Sequence, residues 1–124
     1  MHEIVVDGET LKIEDVAKVA RENAKVTISE KAKKRVKKSR EILEKLIKEN
    51  VVIYGVNTGF GALNNRTIPQ KEIKQLQTNL IRSHSAGVGE PLATEIVRAL
   101  MLLRINTLVK GYSGVRLETL GTLL

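Results

Sequence analysis

Tyr54 is the residue best placed for chemistry in a chain nearly bare of aromatic side chains, with one Phe, two Tyr and no Trp among 124 residues. It opens the stretch Tyr54-Gly55-Val56-Asn57-Thr58-Gly59-Phe60-Gly61, directly after Val51-Val52-Ile53. The β-branched run reads as a short buried strand, and glycines permit positive φ and close approach of a ligand to the backbone. A phenol at such a strand end is held yet reachable. Its ordinary pKa of about 10 means that a role as base at neutral pH needs a cationic or donor-rich site that stabilises phenolate. The plainer reading is a glycine-rich turn with Tyr54 packed beneath it.

A second unusual stretch, Ser83-His84-Ser85-Ala86-Gly87-Val88-Gly89-Glu90-Pro91-Leu92, breaks a helical pattern with two glycines and a proline. Taken alone, His84 is a helix-end histidine whose cationic form meets the negative end of the helix dipole. A hydrolase pair of Ser83 and His84 is disfavoured, because adjacent residues rarely aim a nucleophile at a base and no orienting acid is evident. No metal site is expected, since the other histidine is His2 and no acidic pair stands at ligand spacing to His84. Gly87-Val88-Gly89 lacks the full glycine fingerprint of a phosphate loop and a strand before it.

The elements that position these residues are read as mainly α, with a small N-terminal β-hairpin and a short strand before the Tyr54 loop. Ile4-Val5-Val6 and Thr10-Leu11 flank Asp7-Gly8, a dipeptide common in two-residue hairpin turns. Residues 13–23 place Val16, Val19 and Ala20 at helical spacing, with Glu14 and Asp15 in the first turn. A longer helix follows, capped by Thr27 or Ser29 and running towards Asn50, with Ala32, Val36, Leu43, Leu46 and Ile47 on one stripe. Pro69 suits the start of the next helix, whose Ile73, Leu76 and Leu80 lead to Ser83. Apolar residues nearly encircle 93–110, which predicts burial on most sides. Gly111 fits the end of that helix, Ser113 the cap of another, and Leu117, Leu120 and Leu124 begin a further apolar stripe.

The formal charge is +7, from 21 Lys and Arg against 14 Asp and Glu. Much of the excess falls in residues 31–40, which could neutralise phosphates. No aromatic platform or nucleic-acid motif accompanies it, so a solvated helix face is preferred and nucleic acid is an unlikely partner. With no cysteine the chain has no disulfides or thiolate metal sites, as suits a reducing cytoplasm. No signal sequence or membrane span is evident, so a soluble, cytoplasmic protein is expected. No repeat, linker or second domain is found, and residues 1–124 are taken as one segment.

The two loops, together with Arg104-Ile105-Asn106 and Lys110-Gly111-Tyr112-Ser113-Gly114-Val115-Arg116, resemble the aromatic amino acid ammonia-lyases. The likeness runs from about Asp7 to the last residue, and its motifs from Tyr54 to Arg116 stand in the family's order at matching spacing. It implies that Tyr54 takes part in removing a β-proton from an amino acid held by the electrophile methylidene-imidazolone (MIO). Gly55, Asn57, Gly59 and Gly61 would shape the loop. Ser83-His84 resembles the pair found in the histidine-acting branch, which implies a substrate-binding role for both residues, L-histidine as substrate and trans-urocanate plus ammonia as products. The family is homotetrameric, with sites assembled from several subunits, so Arg104, Asn106 and Arg116 either pair internally or support a neighbouring chain.

MIO forms from an Ala-Ser-Gly tripeptide that these 124 residues do not contain. The expectation is therefore an N-terminal segment of a longer lyase, truncated at Leu124, inactive alone and partnered by the remainder of its chain. Two alternatives belong to other classes: a stand-alone or regulatory module that binds histidine without chemistry, and a basic nucleic-acid-binding module.

Overall fold

The computed structural model describes residues 3–124, so His2 lies outside it. Strand β1 (Glu3–Val6) is followed by helix α1 (Ile13–Glu22), strand β2 (Lys25–Ile28) and helix α2 (Glu30–Lys48). Helices α3 (Ile73–His84), α4 (Thr94–Leu108) and α5 (Leu117–Leu123) complete a fold that is mainly α. Among the described residues no helix is long and apolar enough to cross a membrane. The chain divides into two compact units: the residues up to Leu43 with Pro91–Leu124, and Glu44–Glu90.

In the first unit β1 alternates exposed and buried residues, the period of a strand with one covered face. Its pairing corrects the expected hairpin: β1 lies parallel to β2, with Glu3 opposite Lys25 and Val6 opposite Ile28. Asp7-Gly8 makes no reversal because its polar groups are engaged elsewhere. The Asp7 carboxylate accepts the N–H groups of Glu9 at 2.8 Å and Thr10 at 2.9 Å, an Asx turn. Gly8, at φ +88°, donates its N–H to Asn106 Oδ1 at 3.1 Å. The chain therefore runs on into α1, and this helical crossover brings β2 beside β1 in parallel. The Glu9 and Thr10 N–H groups hold the Asp7 carboxyl below its ordinary pKa. That contribution is present at neutral pH and fades as the pH falls through the lowered value.

The Asp15 carboxylate accepts the Lys12 N–H at the start of α1, while Asn23 closes the helix in the left-handed region at φ +57°. Ser29 rather than Thr27 caps α2, its hydroxyl accepting the Ala32 N–H at 3.2 Å. Val6, Ile28, Ala32, Val36, Leu102, Ile105, Val109 and Leu120 form the buried cluster, with contributions from β1, β2, α2, α4 and α5. The expected burial of α4 on most sides is met on one face: Leu102 and Ile105 are covered, whereas Ile96, Leu100 and Leu103 remain exposed. Helices α1 and α5 pack against α4 and cover only that side. Helix α5 starts at Leu117 after Arg116, so Ser113 is not its cap.

The basic run of α2 is partly structural. Arg35 Nη2 donates to the carbonyls of Asp7 and Val109, and Nη1 lies 3.7 Å from Glu9 Oε1. Farther along α2, Arg40 Nη1 donates to the Gly114 carbonyl at 3.2 Å, while Ser39 Oγ accepts the Gly114 N–H at 3.0 Å. Close approach to α2 is possible because position 111 is glycine at φ +82°, where a Cβ would stand 2.8 Å from that of Arg35. Arg35→Lys keeps the charge but loses the planar fork. It is expected to lower stability by about 1–3 kcal/mol, read from urea unfolding. An unchanged unfolding midpoint would mean that charge alone suffices at this position.

In the second unit, the expected strand at Val51-Val52-Ile53 is replaced by irregular chain with Val51 and Val52 exposed. Helix α2 ends in a Schellman motif there. Asn50, at φ +56°, donates to the Ile47 carbonyl and Val51 donates to the Leu46 carbonyl, both at 3.0 Å. The N–H of Ile53 and the carbonyl of Val51 are taken by the Asn57 side chain, so the segment has few groups left for a sheet partner.

Candidate functional site

The Tyr54 loop is built around a buried amide. Asn57 Oδ1 accepts the Ile53 N–H and Nδ2 donates to the Val51 carbonyl, each at 2.8 Å. Its backbone carbonyl receives the Ile68 N–H at 2.8 Å, and Gly59 N–H donates to the Arg66 carbonyl at 2.9 Å. Thr58 and Thr67 form an antiparallel bridge between these bonds. Thr58, only 1% exposed, accepts the Gly55 N–H at 3.3 Å and donates to the Gly59 carbonyl at 2.9 Å. Asn57, Thr58 and Gly59 are the buried residues of this unit among those described, so its interior is polar and closed by hydrogen bonds.

The glycines serve different ends within this loop. Gly55 and Gly61 have φ of +76° and +55°, in the left-handed region. Gly59 provides space instead, since a Cβ there would lie 2.5 Å from the Leu63 carbonyl oxygen. Tyr54 is not packed beneath the turn: its side chain is 63% exposed. Phe60 supports the ring edge-on, with centroids 6.0 Å apart and planes at 72°. The phenol is thus steadied on one side and open on another.

Ser83 and His84 occupy the last turn of α3, which is steered by the half-buried stripe Ile73, Leu76 and Leu80. Ser83 Oγ donates to the Leu80 carbonyl at 2.9 Å. His84 Nδ1 lies 3.0 Å from that same oxygen and 3.0 Å from Ser83 Oγ. Both side chains are exposed. The two motifs share a unit and are tied indirectly through Gln77 on α3, whose Nε2 donates to the Gly55 carbonyl at 3.4 Å. No direct bond joins Tyr54 to Ser83 or His84 among the described residues. Gln77 was not singled out from the sequence, because a glutamine two helical turns before His84 looks like any solvent-facing helix residue.

Two grooves lie in the first unit and neither contains Tyr54, Ser83 or His84. One, of about 670 Å³, is lined by residues that include Val19, Val26, Arg98, Met101 and Leu123. The other, of about 340 Å³, borders Arg35, Lys38, Lys110 and Tyr112. Among the described residues no three His, Cys, Asp or Glu side chains gather as a metal site would require. Asn106 pairs internally with Gly8, whereas Arg104 is exposed. The arrangement therefore offers an open phenol, an imidazole with one nitrogen engaged, and a hydrogen-bonded polar loop between them in sequence.

A family model described as aromatic amino acid lyase matches residues 11–124. Over all 124 residues the chain is 53% identical to the histidine ammonia-lyase of Caldanaerobacter subterraneus subsp. tengcongensis, covering 24% of that protein. Among solved structures it is similar to a tyrosine aminomutase from Streptomyces globisporus, with a TM-score of 0.93, 45% identity, and coverage of 98% of this chain and 23% of that one. It also resembles the histidine ammonia-lyase of Trypanosoma cruzi, with a TM-score of 0.88, 40% identity, and coverage of 98% and 24% respectively. The chain thus spans about a quarter of the length of these relatives.

Proposed function

The chain belongs to the aromatic amino acid lyase family, and from that premise we propose that it is the N-terminal part of a histidine ammonia-lyase, converting L-histidine to trans-urocanate and ammonia. The observation that carries the choice of substrate is the polar end of α3, where His84 is exposed with Nδ1 hydrogen-bonded. Overall similarity supports the same choice, since the histidine ammonia-lyase of Caldanaerobacter subterraneus is 53% identical to the chain and the tyrosine aminomutase 45%.

In this reading Tyr54 takes part in removing the proton from the substrate's β-carbon, the C–H electron pair becomes the Cα=Cβ bond of urocanate, and the Cα–N bond breaks as ammonia leaves with that bond's electrons. His84 holds the imidazole, Ser83 stands beside it, and Gly55, Asn57, Gly59 and Gly61 keep Tyr54 in place. MIO is formed from an Ala-Ser-Gly tripeptide, and no such tripeptide occurs in these 124 residues. The residues present do not supply that group, so none of the roles assigned here runs through it. The site is taken to be completed by other parts of a longer, homo-oligomeric lyase.

His84→Leu tests the substrate assignment in the full-length lyase, followed by the ultraviolet absorbance of urocanate. Losing a hydrogen bond to the imidazole is expected to reduce kcat/KM for L-histidine by about 10- to 100-fold. An unchanged kcat/KM would remove His84 from substrate recognition.

A further inference from the structure

Three contacts at the end of α3 fix a proton that the heavy atoms do not show directly. A carbonyl oxygen can only accept, so His84 Nδ1, at 3.0 Å from the Leu80 oxygen, must carry hydrogen to make that contact favourable. Ser83 Oγ gives its own hydrogen to the same carbonyl at 2.9 Å, which leaves an oxygen lone pair for the Nδ1–H 3.0 Å away. The opposite arrangement sets a bare Nδ1 against the Leu80 oxygen, lone pair to lone pair, and draws the serine hydrogen off that carbonyl. Which ring nitrogen of a neutral histidine is bare follows from the bond that the other one makes.

We infer that Ser83 and the Leu80 carbonyl hold neutral His84 as its Nδ1–H tautomer, which makes Ser83 a positioning residue and leaves Nε2 as a bare acceptor for a substrate N–H. This deepens the histidine ammonia-lyase reading and rests on it for the identity of the ligand. Nε2 accepts the N–H of a substrate imidazole, whereas a benzyl side chain offers no donor and strands the lone pair. Ser83 thus acts through His84, and its hydroxyl, already engaged twice, need not touch the substrate.

The chain holds two histidines, so ring 15N spectra of histidine-labelled protein are readily assigned with a His2→Gln control. At a pH where the rings are neutral, His84 is expected to show a protonated Nδ1 and a bare Nε2. Ser83→Ala should shift it towards the Nε2–H form, and Ser83→Thr should restore the original spectrum. In the full-length lyase Ser83→Ala is expected to raise KM for L-histidine about 3- to 10-fold with kcat nearly unchanged, as loss of uniform binding does. Ser83→Thr should recover the lower KM.

A neutral His84 found in the Nε2–H form overturns the inference, as does a Ser83→Ala variant with unaltered spectrum and KM. If the spectra show the Nδ1–H form and its dependence on Ser83, but the full-length lyase does not turn over L-histidine, the tautomer lock stands and the substrate reading fails.

Discussion

Tyr54→Phe in the full-length lyase is expected to lower kcat for L-histidine by about 100- to 10,000-fold, the range associated with a positioned acid or base. The substitution removes one oxygen and keeps the ring, so the edge-on contact with Phe60 persists. Among the described residues the Tyr54 hydroxyl makes no hydrogen bond, and its loss leaves no buried partner unsatisfied. KM and the circular dichroism spectrum should therefore change little. A kcat within about tenfold of the parent would be too small a loss for the group that carries the proton, and would move that role to another residue.

Asn57→Ala should produce the largest loss of stability in the loop. It removes two hydrogen bonds of 2.8 Å and strands the Ile53 N–H and the Val51 carbonyl. Val51 is exposed and Ile53 half-buried, so the loss is that of two hydrogen bonds at about 0.5–1.5 kcal/mol each, about 1–3 kcal/mol in all. Asn57→Asp retains an acceptor for Ile53 and loses the donor to Val51, which places it between the parent and alanine. Amide hydrogen exchange across residues 53–60 reads the effect where it arises. Equal protection in parent and alanine variant would show that backbone bonds alone hold the loop.

The helices were legible in the sequence because apolar spacing reports directly on which face packs. Residues 13–23 and the stripe Ile73, Leu76 and Leu80 led to α1 and α3 with small errors at their ends. The strand pairing was not legible. Asp7-Gly8 has hairpin chemistry locally, but its outcome is decided by Asn106 and by β2, both distant in sequence. Val51-Val52-Ile53 has β-prone side chains, yet the Schellman end of α2 and the Asn57 amide take the backbone groups that a sheet would use. β-propensity describes a fit to a pleated surface, and no neighbouring strand supplies one here.

The residues of the candidate site were found through glycine spacing and the family likeness, while their supports were not. Asn57 was singled out for the loop, but the anchoring of its side chain is visible only in three dimensions. Arg35 and Arg40 looked like part of a solvated basic face. Their guanidinium groups instead bond to carbonyls of Asp7, Val109 and Gly114, which sequence periodicity cannot reveal.

The polar interior of the Glu44–Glu90 unit bears on the order in which the protein becomes rigid. Hydrophobic burial is the dominant drive to fold, and the apolar cluster lies in the other unit. A region held by Asn57, Thr58 and backbone bonds stands low on the ladder of local unfolding energies and forms a foldon that opens before the rest. Tyr54 and His84 would then be among the last groups to settle during folding and the first to loosen on warming, so that heat extinguishes the site before it dissolves the fold.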